Sequence, residues 1–341
     1  MNTYFWKKYR IKKTGEALSI LNTRTPFWKP FVLMLPSIFV LLFMVIIPFI
    51  FVIIGSFRSQ TTFTSYGWSI GNYYELSSKS GRVGILNDPK FQVAIVNSLL
   101  YAVIALPIGL SISILISSAI SMIVRKYARS FWQTVFFLPY MTGAVAISLT
   151  FTALFGKSTE GAIFPLLYGS GNRWNPFIVI LIRGIWGGLA FQVLILTTAM
   201  LSVNPDLYKS SAIDGASSSK QFFKITLPSI QKTISFLFTI GIINGIKVFP
   251  LALYNNDASQ AIAENGTTLL IYIFQSVRFA ATGFGRAMAA SVFLFILGIF
   301  VSYTLKKSVS SIYKLKNKLG EKNVINKLKA EIQKRKISFK I

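Results

Sequence analysis

The sequence predicts an all-α polytopic membrane protein with six transmembrane helices, and three observations support this fold class. Of the 341 residues, 53% are hydrophobic and 15% aromatic, a more apolar composition than soluble domains of this size usually have. Six apolar segments are long enough to cross a bilayer, since a spanning helix needs about 20 mostly apolar residues. The formal charge of +26 is concentrated between these segments and at both ends of the chain.

The six predicted spans are separated by connecting segments of different lengths. Their predicted bounds are 31–57, 91–124, 131–155, 176–201, 232–254 and 285–305. The second is long enough to tilt in the bilayer or to extend beyond it. Several spans contain proline, which predicts a kink because its ring removes a backbone donor. These prolines are Pro36, Pro48, Pro107 and Pro139.

The density of basic residues alternates between successive connecting segments. The basic set has seven Lys and Arg in 1–30, three in 125–130, three in 202–231 and twelve in 306–341. The other set has four in 58–90, two in 156–175 and one in 255–284. Because basic loops stay on the cytoplasmic side, both termini and the 202–231 segment are predicted to be cytoplasmic.

This orientation gives the chain a simple organisation. It comprises a basic cytoplasmic arm (1–30), a first span (31–57), an extracellular loop (58–90), a five-span core (91–305) and a basic cytoplasmic tail (306–341). The tail is predicted either as a basic amphipathic helix on the inner membrane surface or as a solvated, unstructured segment. Membrane lipid is therefore an expected partner.

Missing residue types exclude several classes of function. The sequence has no Cys and no His, which excludes disulfides, thiol nucleophiles, the usual zinc sites and histidine acid–base catalysis. All ten carboxylates lie outside the predicted spans, which argues against an ion-driven carrier. The basic charge forms no face on a folded domain, so nucleic acid is not an expected partner. An intramembrane Ser–Lys hydrolase, using serines in 111–121, stays open as an alternative.

The sequence lacks an ATP site of its own. Gly156-Lys157-Ser158 resembles the end of a phosphate-binding loop, but Phe151 stands where that loop requires glycine. An active transporter with this sequence would take its energy from another subunit.

The segment 209–228, KSSAIDGASSSKQFFKITLP, is small, polar and basic although it lies between two apolar spans. Asn204 is predicted to cap a helix whose first turn contains Pro205. Gly215 predicts a tight or left-handed turn. The run 218–221, SSKQ, matches a capping box for a second short helix, which Pro228 closes. The pattern predicts a helix–turn–helix unit suited to docking in a groove of a partner.

The same segment resembles the cytoplasmic signature of the membrane subunits of binding-protein-dependent ABC importers. That signature is Glu-Ala-Ala, three residues, Gly, nine residues, Ile, one residue and Leu-Pro. This chain has Lys209-Ser210-Ser211, then Gly215, Ile225 and Leu227-Pro228 at the same spacing. The longer text PDLYKSSAIDGA resembles the carbohydrate branch of the family, as do LMLPSIFVLLFMVIIPFIFVIIGSF, GNYYEL and FFLPYMTGAVA. The resemblance covers the chain from about 31 to 305.

The resemblance implies the fold of type I importer permeases and a place in the membrane of a bacterial cell. It implies a second permease subunit, a pair of ABC ATPase domains and an extracellular substrate-binding protein as partners. ATP and Mg would bind to the ATPase, and this chain would bind no cofactor, hold no metal and catalyse no reaction. The implied ATPase-coupling residues are Lys209, Ser210, Ser211, Ala212, Asp214, Gly215, Ile225, Leu227 and Pro228.

The chain also departs from the family pattern at two places. Lys209 replaces the acidic residue that pairs with a basic group of the ATPase, and serines replace the two alanines that follow it. The family's Thr-Gly-Gly-Pro stretch after the fifth span is replaced by YNNDASQ, starting at 254. These departures leave open the charge of the ATPase surface and the docking of the extracellular protein.

Candidate cargo-path residues lie in the fourth and fifth spans. Away from the span edges, Arg183 and Lys247 are the charged side chains, and Gln192 and Asn244 are deeper amides. The resemblance adds Trp186, Gly188 and Phe191, which lie where a maltose permease contacts sugar. Aromatic and amide groups suit a sugar or polyol. The two cations either indicate a phosphorylated cargo or extend to the membrane surface, and cargo outside the carbohydrate class also stays open.

Overall fold

The computed structural model describes residues 28–58, 67–74, 84–157, 161–168, 172, 174–278, 284–305 and 307. These ranges are predominantly helical, with one isolated antiparallel bridge between Arg58 and Trp68. The arm up to residue 27 and the tail from 308 onward lie outside the described residues. The two alternatives for the tail therefore stay predictions.

The described chain contains five helices long and apolar enough to cross a membrane, and a bent helix pair raises the number to six. The first span, α1, comprises Trp28–Leu41, a π-helical turn Leu42–Ile46 and Ile47–Ser56. The next helices are α2 Pro89–Ser121, α3 Lys126–Thr142, α4 Ala144–Phe155 and α5 Trp174–Leu201. They are followed by α6 Pro205–Ile213, α7 Ser218–Gln221, α8 Gln231–Ile246, α9 Ala258–Ala263, α10 Leu269–Arg278 and α11 Phe284–Leu305. The all-α class predicted from the sequence is confirmed.

The third predicted span is broken rather than continuous. Helices α3 and α4 meet at 90°. The residue between them is Gly143, whose φ of 81° and ψ of 153° are unfavourable for a residue with a side chain. The sequence predicts a kink at Pro139, but α3 continues through Pro139 and the sharp break lies four residues later. Glycine therefore determines the position of the bend.

Two π-helical turns each precede a proline. The turn Leu42–Ile46 ends two residues before Pro48, and the turn Phe222–Thr226 ends two residues before Pro228. Proline lacks the backbone N–H, and its ring collides with the carbonyl four residues earlier. A wider turn at that carbonyl relieves the collision and lets the helix continue.

Helices α2, α5 and α8 form the packed centre of the bundle. Ser113 of α2 donates to Gln192 of α5 at 2.8 Å, and Ser117 donates to the carbonyl of Val193 at 3.1 Å, so the two helices run in parallel. In contrast, α8 is antiparallel to α2. A Cβ on Gly245 would lie 3.0 Å from the Cα of Ala102, so glycine allows the two backbones to come close.

The fifth candidate span covers Gln231–Tyr254, in agreement with the predicted 232–254, and the chain beyond it is folded. Helix α8 ends at Ile246, and a 3₁₀ turn, Leu251–Tyr254, completes the predicted range. The following segment, on the side predicted to be extracellular, forms α9 and α10 and buries many apolar side chains, including Ile271 and Tyr272. Asn97 of α2 donates to the carbonyls of Asn265 and Thr267 at 2.8 and 2.9 Å. These bonds satisfy buried backbone groups before α10.

Helix α1 lies at the edge of the bundle. Its most apolar stretch buries no residue within the described chain. It contacts α11 through Phe49 and Phe295, whose ring centroids are 4.6 Å apart, and through Gly55 beside Met288. Helix α1 therefore presents a long apolar surface to lipid or to another chain.

Candidate functional site

The segment between α5 and α8 forms a compact helical hairpin, residues 205–229. Asn204 caps α6 by accepting from the backbone N–H of Asp206 at 2.9 Å, and Pro205 occupies the first turn. Gly215 follows with a φ of 70°. The N–H of Gly215 donates to the carbonyl of Ala212 at 3.0 Å, which closes the end of α6. The structure agrees with the sequence on the cap, the helix and the glycine turn.

The second arm of the hairpin starts one residue earlier than predicted. Ser217, rather than Ser218, caps α7 and accepts from the N–H of Lys220 at 3.4 Å. The capping-box prediction for 218–221 is therefore wrong. Instead of closing such a box, the Gln221 amide donates to the carbonyl of Tyr208 at 3.4 Å.

Two contacts fix the hairpin arms to each other and to the bundle. The hydroxyls of Tyr208 and Thr226 are 2.8 Å apart and hydrogen-bonded. Phe222 packs against the buried cluster that contains Met200 and Ile230 at the ends of α5 and α8. Movement of the hairpin is therefore mechanically linked to two spans that line the membrane cavity described below.

The outer surface of the hairpin is apolar and charged. Ile213 is 88% exposed and Phe223 62% exposed, so the hairpin presents two large apolar side chains on its surface. Lys209 forms an exposed ion pair with Asp206 at 3.1 Å, three residues earlier on α6. The cation that replaces the family's acid therefore has an anionic neighbour within its own helix.

A cavity of about 400 Å³ lies among the spans. It is bounded by the middle of α2, the centre of α5 and the second half of α8, with Tyr140 of α3 at one side. Its lining comprises Tyr101, Ala102, Ala105, Leu106, Gly109, Tyr140, Gly184, Ile185, Gly187, Gly188, Phe191, Gln192, Leu237, Ile240, Gly241, Asn244 and Gly245. No charged residue occurs among these described lining residues.

Glycine creates the space for this cavity. On α5, Gly184 meets the hydroxyl end of Tyr101, whereas a Cβ on Gly187 would meet nothing within 4 Å. On α8, Gly241 contacts the side chain of Leu106 on α2. Gly245, four residues later, contacts Ala102 on the same helix. Larger side chains would fill the cavity at Gly187 and would separate the helices at Gly245.

Four of the seven predicted cargo-path residues line the cavity together. Gly188 and Phe191 lie on its α5 wall, and Asn244 lies on its α8 wall. The side chain of Gln192 is oriented by Ser113, whose hydroxyl donates to the amide oxygen at 2.8 Å. The Gln192 NH₂ group has no donated bond to another described residue.

The other three predicted residues lie outside the cavity lining. Arg183 donates from Nε to the hydroxyl of Ser148 at 3.0 Å and from Nη2 to the carbonyl of Ala144 at 3.0 Å. Trp186 is half exposed on another face of α5. Lys247 is exposed just beyond the end of α8. Arg183 therefore ties α5 to the first turn of α4, next to the Gly143 bend.

Sequence reasoning missed two tyrosines that line the cavity, Tyr101 and Tyr140. Both lie in spans where an aromatic residue commonly packs in the core, so composition alone gives no reason to select them. The available signal was the glycine pattern on α5, because Gly184 and its neighbours leave room for large side chains opposite.

Comparison with known proteins identifies the chain at the level of family. The probable ABC transporter permease protein MG188 of Mycoplasma genitalium is 40% identical over 310 residues, covering 88% of this chain and 91% of that protein. The arabinooligosaccharides transport system permease protein AraP of Halalkalibacterium halodurans is 26% identical and covers 85% of this chain and 90% of that protein. No protein-family model matches the chain.

The fold is also similar to solved structures. A chain from the crystal structure of a bacterial ABC transporter involved in import of the acidic polysaccharide alginate aligns with a TM-score of 0.65 and 19% identity, covering 90% of this chain and 99% of that one. A chain from the alginate transporter in complex with an alginate pentasaccharide-bound periplasmic protein gives a TM-score of 0.63 and 21% identity, covering 81% and 92%. The relatives are transport permeases rather than enzymes, so a membrane hydrolase is not supported. The extent and identity of the Mycoplasma match show that this chain is a multi-pass membrane protein of the ABC transporter permease family.

Proposed function

We propose that this chain is one permease subunit of an ATP-driven importer for a sugar, an oligosaccharide or a polyol. The observation that carries the proposal is the lining of the membrane cavity. Tyr101, Tyr140, Gln192 and Asn244 offer hydroxyl and amide groups beside the Phe191 ring. Aromatic rings stack on the apolar faces of sugars, and hydroxyl and amide groups exchange hydrogen bonds with sugar hydroxyls.

A neutral cargo fits this cavity better than a phosphorylated one. The guanidinium of Arg183 donates to Ser148 and Ala144, and Lys247 lies beyond the cavity lining. A phosphate among the described lining residues would meet no cation, and a buried unpaired anion is costly. The sugar transport named for AraP supports the neutral class, whereas the acidic alginate of the structural neighbour is the alternative that transport assays must exclude.

The hairpin is proposed to dock on a separate ATPase subunit that binds ATP and Mg. Its exposed Leu207, Ile213 and Phe223 offer an apolar contact surface. The packing of Phe222 against the ends of α5 and α8 gives ATPase closure a direct route to the cavity walls. A second permease subunit would complete the path, and an extracellular binding protein would deliver the cargo.

The proposal requires both termini and the hairpin to lie in the cytoplasm. Because the sequence has no Cys, single cysteines give an unambiguous test of sidedness. Ser219→Cys in the hairpin and Ala263→Cys at the end of α9 are exposed, conservative positions. A membrane-impermeant maleimide added to intact cells should label position 263 and spare position 219.

The decisive experiment is reconstitution of the full transporter in lipid vesicles with the substrate-binding protein. Loaded binding protein should stimulate ATP hydrolysis, and ATP should drive uptake of neutral saccharide. The double variant Gln192→Leu/Asn244→Leu replaces both amides with apolar side chains of similar size, so uptake should fall while basal ATPase activity persists. Uptake of neutral saccharide that is unchanged in this variant would contradict the proposed path.

A further inference from the structure

We propose that the start of helix α3 is a binding site for an anionic phospholipid, with its headgroup at Arg125 and Lys126 and an acyl chain along α3. The juxtaposition that carries this inference is a pair of exposed cations at the start of the helix that also carries an exposed aromatic and aliphatic stripe. The site lies outside the cavity and outside the 205–229 hairpin.

Helix packing places the basic cluster, Arg125, Lys126 and Arg129, at one end of the bundle. Helices α2 and α5 are parallel, and Ser117 near the end of α2 contacts Val193 in the second half of α5. The connector after α2 therefore emerges at the same end of the bundle as the hairpin. Arg125 is the N-cap of α3 and Lys126 is its first residue, so both cations lie at that end of the bundle.

The cations of this cluster differ in their roles. Arg129 donates to the carbonyls of Ile123 and Val124 at 3.2 and 3.5 Å, which fixes the connector to the first turn of α3. Arg125 and Lys126 are exposed, and neither has an ion pair with any described residue. The sequence has no Asp or Glu between Asp88 and Glu160, so local anions do not neutralise this charge. An external anion is the partner that fits.

An apolar stripe continues from the cations along α3. Tyr127, Phe131, Val135 and Leu138 follow at spacings of four, four and three residues, which places them on one helix face. Their side chains are 93%, 62%, 42% and 56% exposed, respectively. From Tyr127 to Leu138 the stripe is roughly 16 Å long, comparable to about half of a 30 Å hydrocarbon core.

This geometry favours a lipid over a soluble anion or a protein. A phosphodiester is held by the two cations, and an acyl chain of one leaflet matches the length of the stripe. The aromatic side chains near the cations, including Trp132 beside Phe131, belong to the types that concentrate at headgroup depth. A soluble phosphate would leave the apolar stripe uncovered, and a protein partner would need carboxylates opposite both cations.

Native mass spectrometry of the full-length chain in mild detergent tests the proposal. The probes are phosphatidylglycerol and, as the zwitterionic comparison, phosphatidylethanolamine with the same acyl chains. The parent chain should retain phosphatidylglycerol preferentially. Because each basic residue strengthens attraction to anionic lipid, Arg125→Gln/Lys126→Gln should reduce that retention about tenfold or more.

The matched control removes two charges from the same end of the molecule. Lys220→Gln/Lys224→Gln lies in the hairpin, so it should leave retention of phosphatidylglycerol unchanged. An equal loss of phosphatidylglycerol retention in both double variants would show that only the total positive charge matters. That result would overturn the site. Retention without preference for the anionic lipid, or displacement of the lipid by millimolar glycerol phosphate, would also overturn it.

A crosslinking experiment identifies which molecule covers the apolar stripe in the assembled transporter. Val135→Cys carries the only thiol of the chain and lies in the middle of the stripe, so it can be labelled with a photoreactive maleimide. Crosslinks from native membranes should contain phospholipid. Crosslinks to a second permease subunit would overturn the lipid assignment and identify the face as a protein interface.

Discussion

The hairpin and the membrane cavity are built by different kinds of contact. In the hairpin, Asn204 caps α6 from two residues away, and the Tyr208–Thr226 hydrogen bond closes a loop of 18 residues. In the cavity, the Ser113–Gln192 bond joins residues 79 apart. The contact between Ala102 and Gly245 joins residues 143 apart in the sequence (245 − 102).

This difference shows where the two regions obtain their shape. Caps, a left-handed glycine and a proline specify the hairpin within one short segment, so its structure is largely independent of the spans. The cavity exists only when three helices pack at a defined separation. Substitutions in the hairpin should therefore impair coupling with little effect on folding, whereas substitutions at the helix contacts should impair both.

The largest effect is expected for Gly245→Val. A Cβ at this position would lie 3.0 Å from the Cα of Ala102, and a backbone atom cannot move aside as a side chain can. Overpacking of this kind costs about 1–3 kcal/mol, and the rigid neighbour places this case at the upper end. Detergent-solubilised protein should lose its monodisperse elution at a lower temperature than the parent.

The matched control for that variant is Gly187→Ala. Gly187 also lies on the cavity wall, but an added Cβ meets nothing within 4 Å. Thermal stability should stay at the parental value. Equal destabilisation by both variants would show that the cavity does not depend on the close approach of α2 and α8.

A second test concerns Arg183, which connects α5 to the bend between α3 and α4. Arg183→Gln removes the charge-assisted bonds to Ser148 and Ala144, at an expected cost of about 2 kcal/mol. Because Arg183 does not line the cavity, uptake of matched neutral and phosphorylated saccharides should fall by the same factor. Lys247→Gln serves as the comparison and should change neither stability nor selectivity. A selective loss of the phosphorylated substrate in either variant would restore the anionic-cargo interpretation.

The third test addresses the glycine turn of the hairpin. Gly215 has a φ of 70°, and a β-branched residue in this left-handed conformation costs about 1–2 kcal/mol. Gly215→Val should reduce ATP-driven uptake and uncouple ATPase activity from it, while the spans still insert and purify normally. Gly215→Asn should retain most coupling, since Asn tolerates this conformation. Parental transport by the valine variant would show that the turn is dispensable.

The sequence predicted the regions with local signals and missed those that depend on packing. It located the spans, the Asn204 cap and the Gly215 turn because hydropathy and capping preferences act over a few residues. It missed the 90° bend at Gly143, since Pro139 in the preceding helix is the stronger local signal for a kink. It also missed Tyr101, which lines the cavity only because Gly184, on another helix, makes room.

The smallest effect on stability is expected for Lys209→Glu. This variant tests whether docking of the hairpin depends on the charge of the ATPase surface. Lys209 and Asp206 form an exposed pair at 3.1 Å, and such pairs on a helix contribute about 0.2–0.5 kcal/mol. The glutamate should therefore change the stability of the hairpin by less than about 1 kcal/mol, including the new repulsion from Asp206.

Docking responds to a different quantity, the charge of the ATPase surface opposite α6. A basic surface would bind the glutamate variant as well as or better than the parent, whereas an acidic surface would bind it more weakly. Co-purification of the ATPase with the parent, Lys209→Glu and the neutral Lys209→Gln variants, each at low and high salt, separates the two cases. A salt-insensitive and equal yield from all three would show that apolar contacts of Ile213 and Phe223 dominate docking.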